Sequence, residues 1–379
     1  MKTIKCISGM GITCSPFFDS YATDDAECGL YNGRVFPWRC GESATEDYWA
    51  LRRGAVLFDV PETPIAIEGP DAVRLLDKVL TRSVAGLKIG RAAYGLACLP
   101  DGGMLMDGVL MRLGEERFWY VQAEGEFRPW LLAHAVDRDV SIYDPDSWVL
   151  QVQGPRSFEV LAAACDDQSA PELRYFDVAE CRIGGQPLIV SRTGWTGELG
   201  FELYSTERDF DGAALWTHLL DRGKSAGLIW SALRSMQIRR IEAGILDYGT
   251  DMDAGTTPFQ AGLGKFVDLS RSAFIGKSAL ERADQRPLLY GVRCGDGVPV
   301  YGTRAELDSQ PVGRLLSSAW SPFLNCGIGY VRMDAPGEWA GTRLQIPTLD
   351  GALASAEVIM LPFYDPEKRI ARGLDTDIP

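Results

Sequence analysis

Apolar residues in the first half of the chain recur in one arrangement that is used twice. PIAIEGPDAVRLL (64 to 76) and VLQVQGPRSFEVL (149 to 161) each begin with apolar positions alternating at a period of two, which predicts a strand. Each then meets Gly-Pro, Gly69-Pro70 in one and Gly154-Pro155 in the other, a break well suited to a helix start because proline has no N–H to leave unpaired there. Beyond it the period changes to that of a helix, with Val73, Leu75 and Leu76 in the first copy and Phe158, Val160 and Leu161 in the second. The pattern predicts two related α+β subdomains. Two unrelated strand–helix units remain the alternative.

Further strands are expected in GAVLFDV, AAYGLACLP, GMLMDGVLMRL, RFWYVQA, QPLIVSRTG and FELYS, and helices in ALWTHLLDRGKSAG and SALRSMQIRRIEAGIL. After about residue 285 the texture becomes PLLYGVRC, VPVYGT, PVGRLLSSAWS, CGIGYVRM, TRLQIP and ASAEVIMLPF, short strands divided by Gly, Pro and Asp. That spacing predicts a small antiparallel barrel or sandwich. The expected organisation is therefore a region 1–285, with subdomains at 45–140 and 141–285 and the N-terminal segment packed on them, and a β domain at 286–379. A chain of 379 residues is also longer than one core usually supports.

Composition narrows the function. Hydrophobic residues at 46% and charged residues at 24% describe an ordinary globular protein. A net charge of -14 repels phosphate backbones and anionic lipid, so neither nucleic acid nor a membrane surface is an expected partner. The nine cysteines include no C-x-x-C pair, and their odd number argues against a complete disulfide framework. The N-terminus lacks an apolar signal core, and no run is long enough to span a bilayer, so a cytoplasmic location is expected. Only His134 and His218 exist, both in apolar helix-like runs, and no G-x-S-x-G accompanies them. No metal site is expected, which leaves carboxylates, aromatics and a bound organic molecule to carry any chemistry.

Three stretches could do so. In SRTGWTGELGFELY (191 to 204) the glycines follow G-x-x-G-x-x-G, no lysine is present and a strand follows, which excludes a phosphate loop and leaves a strand–turn–strand unit. Glu202 there alternates with Phe201 and Leu203, so it faces solvent or a matched donor. In SALRSMQIRRIEAGIL, Arg240 shares a helix face with Leu233 and Met236, and such an arginine needs an anion, either a ligand carboxylate or an internal acidic partner. Asp107 sits inside the apolar strand GMLMDGVL, where an unpartnered carboxylate is costly and so points to function.

Taken in order, SRTGWTGELGFELY, RRIEAGILDYGTDMD, TPFQAGLGKFVDL, FIGKSAL and LPFYDPEKR resemble the glycine-cleavage T-protein (aminomethyltransferase) family from about residue 45 onward. The resemblance implies an α+β three-domain cloverleaf, two related α+β domains and a C-terminal antiparallel β-barrel, around a folate channel. It further implies tetrahydrofolate as cofactor, with Glu202 holding the pterin, Asp107 beside the reacting nitrogen as the catalytic residue, Arg240 near the folate, and Tyr94, Trp195 and Tyr248 lining the channel. The N-terminal CSPFFDSYATDDAECGLYNGRVFP and TRSVAGLKIGRAAY are more similar to the tetrahydrofolate-dependent dimethylsulfoniopropionate demethylases. The function expected on that basis is methyl transfer from a small methylated substrate, a sulfonium or a related compound, to N5 of tetrahydrofolate. The alternatives are an aminomethyltransferase, which would need a carrier protein as partner, and a non-catalytic folate-binding protein of the same fold. The K-G-C-Y-x-G-Q-E type of motif found in iron–sulfur maintenance relatives is absent from the chain.

Overall fold

Both strand–turn–helix copies form. The computed structural model describes residues 11–166, 172–207 and 209–375. Strand Thr63–Glu68 leads to helix Ala72–Val79, and strand Val149–Gln153 leads to helix Ser157–Ala164. Each proline lies in a β-turn just ahead of its helix, where the amides of Ala72 and Ser157 donate to the carbonyls of Gly69 and Gly154, both at 3.0 Å. The two glycines are needed for the same reason. Gly69 has φ 137° and Gly154 φ 123°, and a Cβ would lie 2.5 Å from the Asp139 carbonyl oxygen in one and 2.4 Å from that of Gly54 in the other.

The first copy belongs to a five-stranded antiparallel sheet in the order Arg91–Cys98, Met104–Arg112, Arg117–Gln122, Thr63–Glu68, Ser141–Tyr143. The second belongs to a six-stranded sheet in the order Val178–Ile183, Gln186–Ser191, Gly200–Ser205, Val149–Gln153, Ala55–Val60, Leu228–Trp230, with only the last pair parallel. Each subdomain therefore lends the other a segment. Ala55–Val60 precedes the first copy yet pairs in the second sheet, and Ser141–Tyr143 follows residue 140 yet pairs in the first. Hydrophobic periodicity marks strands but carries no information about which sheet receives them.

The sheets pack face to face through Phe58, Trp119, Val121, Ile189 and Tyr204, while helices cover their outer faces. Strand Gly200–Ser205 is consequently buried along its whole length, so Glu202 is not the solvent-facing residue that alternation alone allowed. The C-terminal domain is a closed antiparallel six-stranded barrel, in the order Leu289–Cys294, Cys326–Met333, Gln310–Ser321, Arg304–Leu307, Arg343–Pro347, Leu353–Ile359. VPVYGT contributes no strand: Pro299 makes an isolated bridge and Gly302 turns at φ 78°, so Arg304–Leu307 takes that place in the barrel.

Helix Arg234–Glu242 ties the three units together. It ends on Gly244 at φ 66°, with the Ile245 amide bonded to the Arg240 carbonyl and that of Gly244 to Ile241, so a glycine with free access to the left-handed region closes it earlier than apolar periodicity suggests. The barrel's Tyr330 hydroxyl lies 3.0 Å from the carbonyls of Ile241 and Ile245. No helix among the described residues is long and apolar enough to cross a membrane.

Candidate functional site

Where the two sheets, an N-terminal hairpin of strands Glu27–Tyr31 and Arg34–Arg39, and the C-terminal segment 360–371 meet, they enclose a cavity of about 1220 Å³. Tyr94, Asp107, Trp195, Glu202 and Tyr248 all line it. Arg240 does not. It is fully buried behind Trp195, its guanidinium 5.0 Å from the indole centroid, and it bonds Asp251, Ser317, Gln237 and the Ile245 carbonyl. Of the two partners open to this arginine, the internal acid is the one present. Direct contact between Arg240 and a ligand is corrected to support of the Trp195 wall.

The glycine spacing of residues 194 to 200 now has a physical cause. The Gln153 amide lies within the turn, donating to the carbonyls of Thr193 and Phe201 at 3.2 and 3.4 Å and accepting from the Thr196 hydroxyl at 2.7 Å. A Cβ on Gly194 would come 2.2 Å from that amide, and one on Gly200 2.4 Å. The loop thus wraps a glutamine, and its outer side presents Trp195, whose indole N–H donates to the Leu246 carbonyl at 3.3 Å.

Glu202 projects into the cavity held by neutral donors. Oε1 accepts from Gln151 at 3.0 Å, and Oε2 accepts from Thr193 and Tyr204, both at 2.6 Å. The same Gln151 amide donates to Oε1 of Glu62 at 3.1 Å, so one side chain bridges two carboxylates. Burial raises the pKa of both acids, and the Glu202 charge adds to the rise at Glu62. On the opposing sheet, Asp107 accepts from the Tyr94 hydroxyl at 2.8 Å, and burial pushes its pKa up to about 6 against the lowering effect of that bond. Tyr248 donates to the Met104 carbonyl at 3.0 Å.

Glu62 and Gln122 are the cavity groups that sequence reasoning passed over. Glu62 lies in the connection VPETP and Gln122 ends a strand, and neither interrupts an apolar run as Asp107 does. Among the described residues, Glu62 Oε2, Asp107 Oδ1 and Gln122 Oε1 are buried without a hydrogen-bond partner, and all three residues line the cavity. Buried acceptors left unpaired are costly, and a ligand edge rich in N–H groups would satisfy them. Lys265 and Lys368, both exposed, stand at the mouth and supply positive charge there. The two histidines take no part: His218 Nε2 lies 3.0 Å from the Ala164 carbonyl, and His134 packs edge-on against Trp130.

The chain matches the GCVT N-terminal domain family over residues 19–271 and the glycine cleavage T-protein C-terminal barrel domain over 289–365. It is 33% identical over 364 residues to an aminomethyltransferase of Halothermothrix orenii, covering 92% of this chain and 99% of that one. It is also 33% identical over 378 residues to a trimethylamine-oxide aldolase of Ruegeria pomeroyi, covering 94% of this chain but 48% of the relative, so it spans about half of that protein's length. Among solved structures it is similar to the glycine cleavage system aminomethyltransferase T from Bartonella henselae, with a TM-score of 0.83 and 27% identity over 93% of this chain and 98% of that one. These relatives support the cloverleaf architecture and do not single out the demethylase subfamily.

Proposed function

This chain belongs to the glycine-cleavage T-protein family, whose members are folate-dependent enzymes that transfer one-carbon units, and from that premise we propose that it moves an aminomethyl-type one-carbon unit onto tetrahydrofolate. Similarity to aminomethyltransferases along nearly their whole length supports this reading above the methyl transfer first expected. The observation that carries it is the set of unpaired acceptors lining the cavity, on Asp107 and Gln122 of neighbouring strands and on Glu62. A reduced pterin presents several N–H donors on a flat ring, which fits such acceptors between aromatic walls.

Tetrahydrofolate, when bound, supplies the nucleophilic nitrogen that takes the carbon unit. Glu202, already oriented by three donors, and Glu62 accept from the pterin edge, while Trp195, Tyr94 and Tyr248 bound its faces. Lys265 and Lys368 pair with the carboxylates of the glutamyl tail at the mouth. Asp107, with a pKa of about 6, is mostly ionised at neutral pH, and its free oxygen Oδ1 holds or accepts a folate N–H proton while Tyr94 fixes the other oxygen. Overall, an aminomethyl thioether and tetrahydrofolate would give 5,10-methylene-tetrahydrofolate, a thiol and ammonia, the two N–H protons passing to the leaving groups.

A second reading, methyl transfer from a small methylated donor, rests on the resemblance of the N-terminal segment and TRSVAGLKIGRAAY to the demethylases. The test incubates purified protein with tetrahydrofolate and either formaldehyde, ammonia and a dithiol or a panel of methylated amines and sulfonium compounds. The folate product is then identified by mass spectrometry. 5,10-Methylene-tetrahydrofolate formed faster than the uncatalysed rate supports the proposal. 5-Methyl-tetrahydrofolate alone replaces it with the second reading, and absence of tetrahydrofolate binding overturns both.

A further inference from the structure

Strand Val149–Gln153 carries two glutamines, Gln151 and Gln153, on one face, because side chains two apart along a strand point the same way. Gln153 fills the glycine turn. Gln151 is fully buried and gathers two carboxyls: its Nε2 donates to Oε1 of Glu202 at 3.0 Å and to Oε1 of Glu62 at 3.1 Å. Its own Oε1 accepts from the Trp195 amide at 3.5 Å, which fixes the direction of the group. Both hydrogens of one nitrogen are thus used on two acids.

The donors to this pair carry no charge. Thr193 and Tyr204, the other partners of Glu202, are neutral hydroxyls. Arg34 approaches Glu62 but donates to the main-chain carbonyls of Glu62 and Ser147 at 2.9 and 2.8 Å and covers the Trp148 ring at 4.1 Å. The other ionisable neighbours are acids or phenols. Burial and the Glu202 charge raise the pKa of Glu62, and Asp59 adds to the rise. Tyr31, on the hairpin wall of the same cavity, is raised by burial and then by Asp247, Asp107 and Glu62. Two carboxyls joined by one amide, buried and without a counter-ion, do not both ionise at neutral pH. The pair keeps a proton.

The hydrogen bonds decide which member holds it. Glu202 accepts three, which stabilise its anion. Glu62 accepts one from a side chain, at Oε1, and its Oε2 is buried without a partner. The proton therefore falls to Oε2 of Glu62, which becomes a hydroxyl in the cavity wall, while Oε1 still accepts. The corner presents acceptors on Glu202 beside a donor on Glu62.

We propose that Glu62 and Glu202 hold a single proton between them, seated on Glu62, and that this hydroxyl makes Glu62 a specificity-determining residue for a ring edge with a carbonyl oxygen beside its N–H groups. The proposal rests on the folate-dependent transfer reading and deepens it. The pterin of tetrahydrofolate has such an edge, with an exocyclic amine, a ring N–H and a carbonyl oxygen in sequence. Its 4-amino analogue has an amine in place of that oxygen and no hydrogen on the neighbouring ring nitrogen. Two ionised carboxylates would favour the analogue, whereas the singly protonated pair opposes an N–H to its own hydroxyl and rejects it.

The test is calorimetric titration of the full-length protein at neutral pH with tetrahydrofolate and with its 4-amino-4-deoxy analogue, for wild type, Glu62→Gln and Glu62→Leu. Wild type should bind tetrahydrofolate about ten-fold or more tighter than the analogue. Glu62→Gln, which keeps a neutral donor, should stay within about three-fold of wild type for tetrahydrofolate, and Glu62→Leu should lose about ten-fold. In the infrared spectrum, the carbonyl stretch of a protonated carboxyl should be present in wild type and diminished in Glu62→Gln. Equal or tighter binding of the analogue overturns the inference. So does a Glu62→Gln variant as weak as Glu62→Leu, which would make Glu62 an ionised acceptor, or an infrared band that the substitution leaves unchanged. A wild-type protein that binds neither compound fails the underlying transfer reading, and the infrared band then decides the shared proton by itself. If Glu62→Gln does not fold, the wild-type preference between the two compounds decides.

Discussion

Glu198 and Glu202 lie four residues apart in one glycine-rich stretch, both almost fully buried, and they have opposite surroundings. Glu198 also lines the cavity, but it is paired there with Arg52 and with Arg239 at 2.6 Å. Those arginines belong to a balanced group that includes Glu242, which accepts from Tyr48 at 2.9 Å, from Ser321 of the barrel at 2.5 Å and from Tyr364 of the C-terminal segment. Glu202 points forward into the cavity and is held only by Gln151, Thr193 and Tyr204, all neutral. A buried carboxylate matched by arginines has its charge compensated within the protein and serves to join domains. One matched only by neutral donors keeps unbalanced charge, which a ligand can use.

Mutation should separate the two kinds. The largest effect is expected for Glu198→Ala, which strands two buried guanidinium groups and should cost about 3–5 kcal/mol of stability, read from denaturant unfolding. Loss of tetrahydrofolate binding without loss of stability would break the distinction. Asp107→Asn should leave stability nearly unchanged and lower kcat about 10²–10³-fold, the range typical of a lost proton-transfer group. In the wild type, kcat/KM should fall as pH drops through about 6, where the Asp107 carboxylate takes up a proton, and the variant should lack that limb.

Glu202→Gln is expected to weaken tetrahydrofolate binding by about 10–100-fold, one charge-assisted bond being worth roughly 1.5–3 kcal/mol, with little change in the unfolding midpoint. The smallest effect tests whether neutral donors alone define the second kind. Asp59, 3% exposed and outside the cavity, accepts from the hydroxyls of Ser15 and of Tyr21, the latter at 2.7 Å. Burial raises its pKa from 3.8 to about 7. Between those values the unfolded chain has lost a proton that the folded chain keeps, so the Asp59 contribution is fully present below about pH 4 and declines as pH rises to about 7. Asp59→Asn should therefore flatten the decline in thermal stability between pH 5 and 7, by about 1 kcal/mol or somewhat more. An unchanged profile would show that hydroxyl donors suffice to hold a buried aspartate ionised.

Much of the site was legible where a polar residue interrupts an apolar pattern. Asp107 stood out because it breaks a strand of Met, Leu and Val, and it proved to be a cavity residue with an unpaired oxygen. Arg240 stood out in the same way but has its partner inside the fold, because Asp251 returns eleven residues later to meet it. Periodicity reports that a charge is buried and is silent about what it faces. Glu62, Gln122 and Tyr31 gave no such interruption, since the first lies at a strand connection and the other two at strand ends.

Local sequence determined what local forces control: the two strand–turn–helix copies, the glycine turn without phosphate-loop geometry and the helix carrying Arg239 and Arg240. It also placed a β domain after about residue 285, because strand period and turn residues act over a few positions. Tertiary structure alone decided which sheet received Ala55–Val60, which wall of the cavity the N-terminal hairpin supplied, and which of two neighbouring glutamates met arginines. Those outcomes depend on contacts between residues far apart in the chain, such as Arg52 with Glu198 and Asn32 with Ala123, and no period of two or 3.6 encodes them.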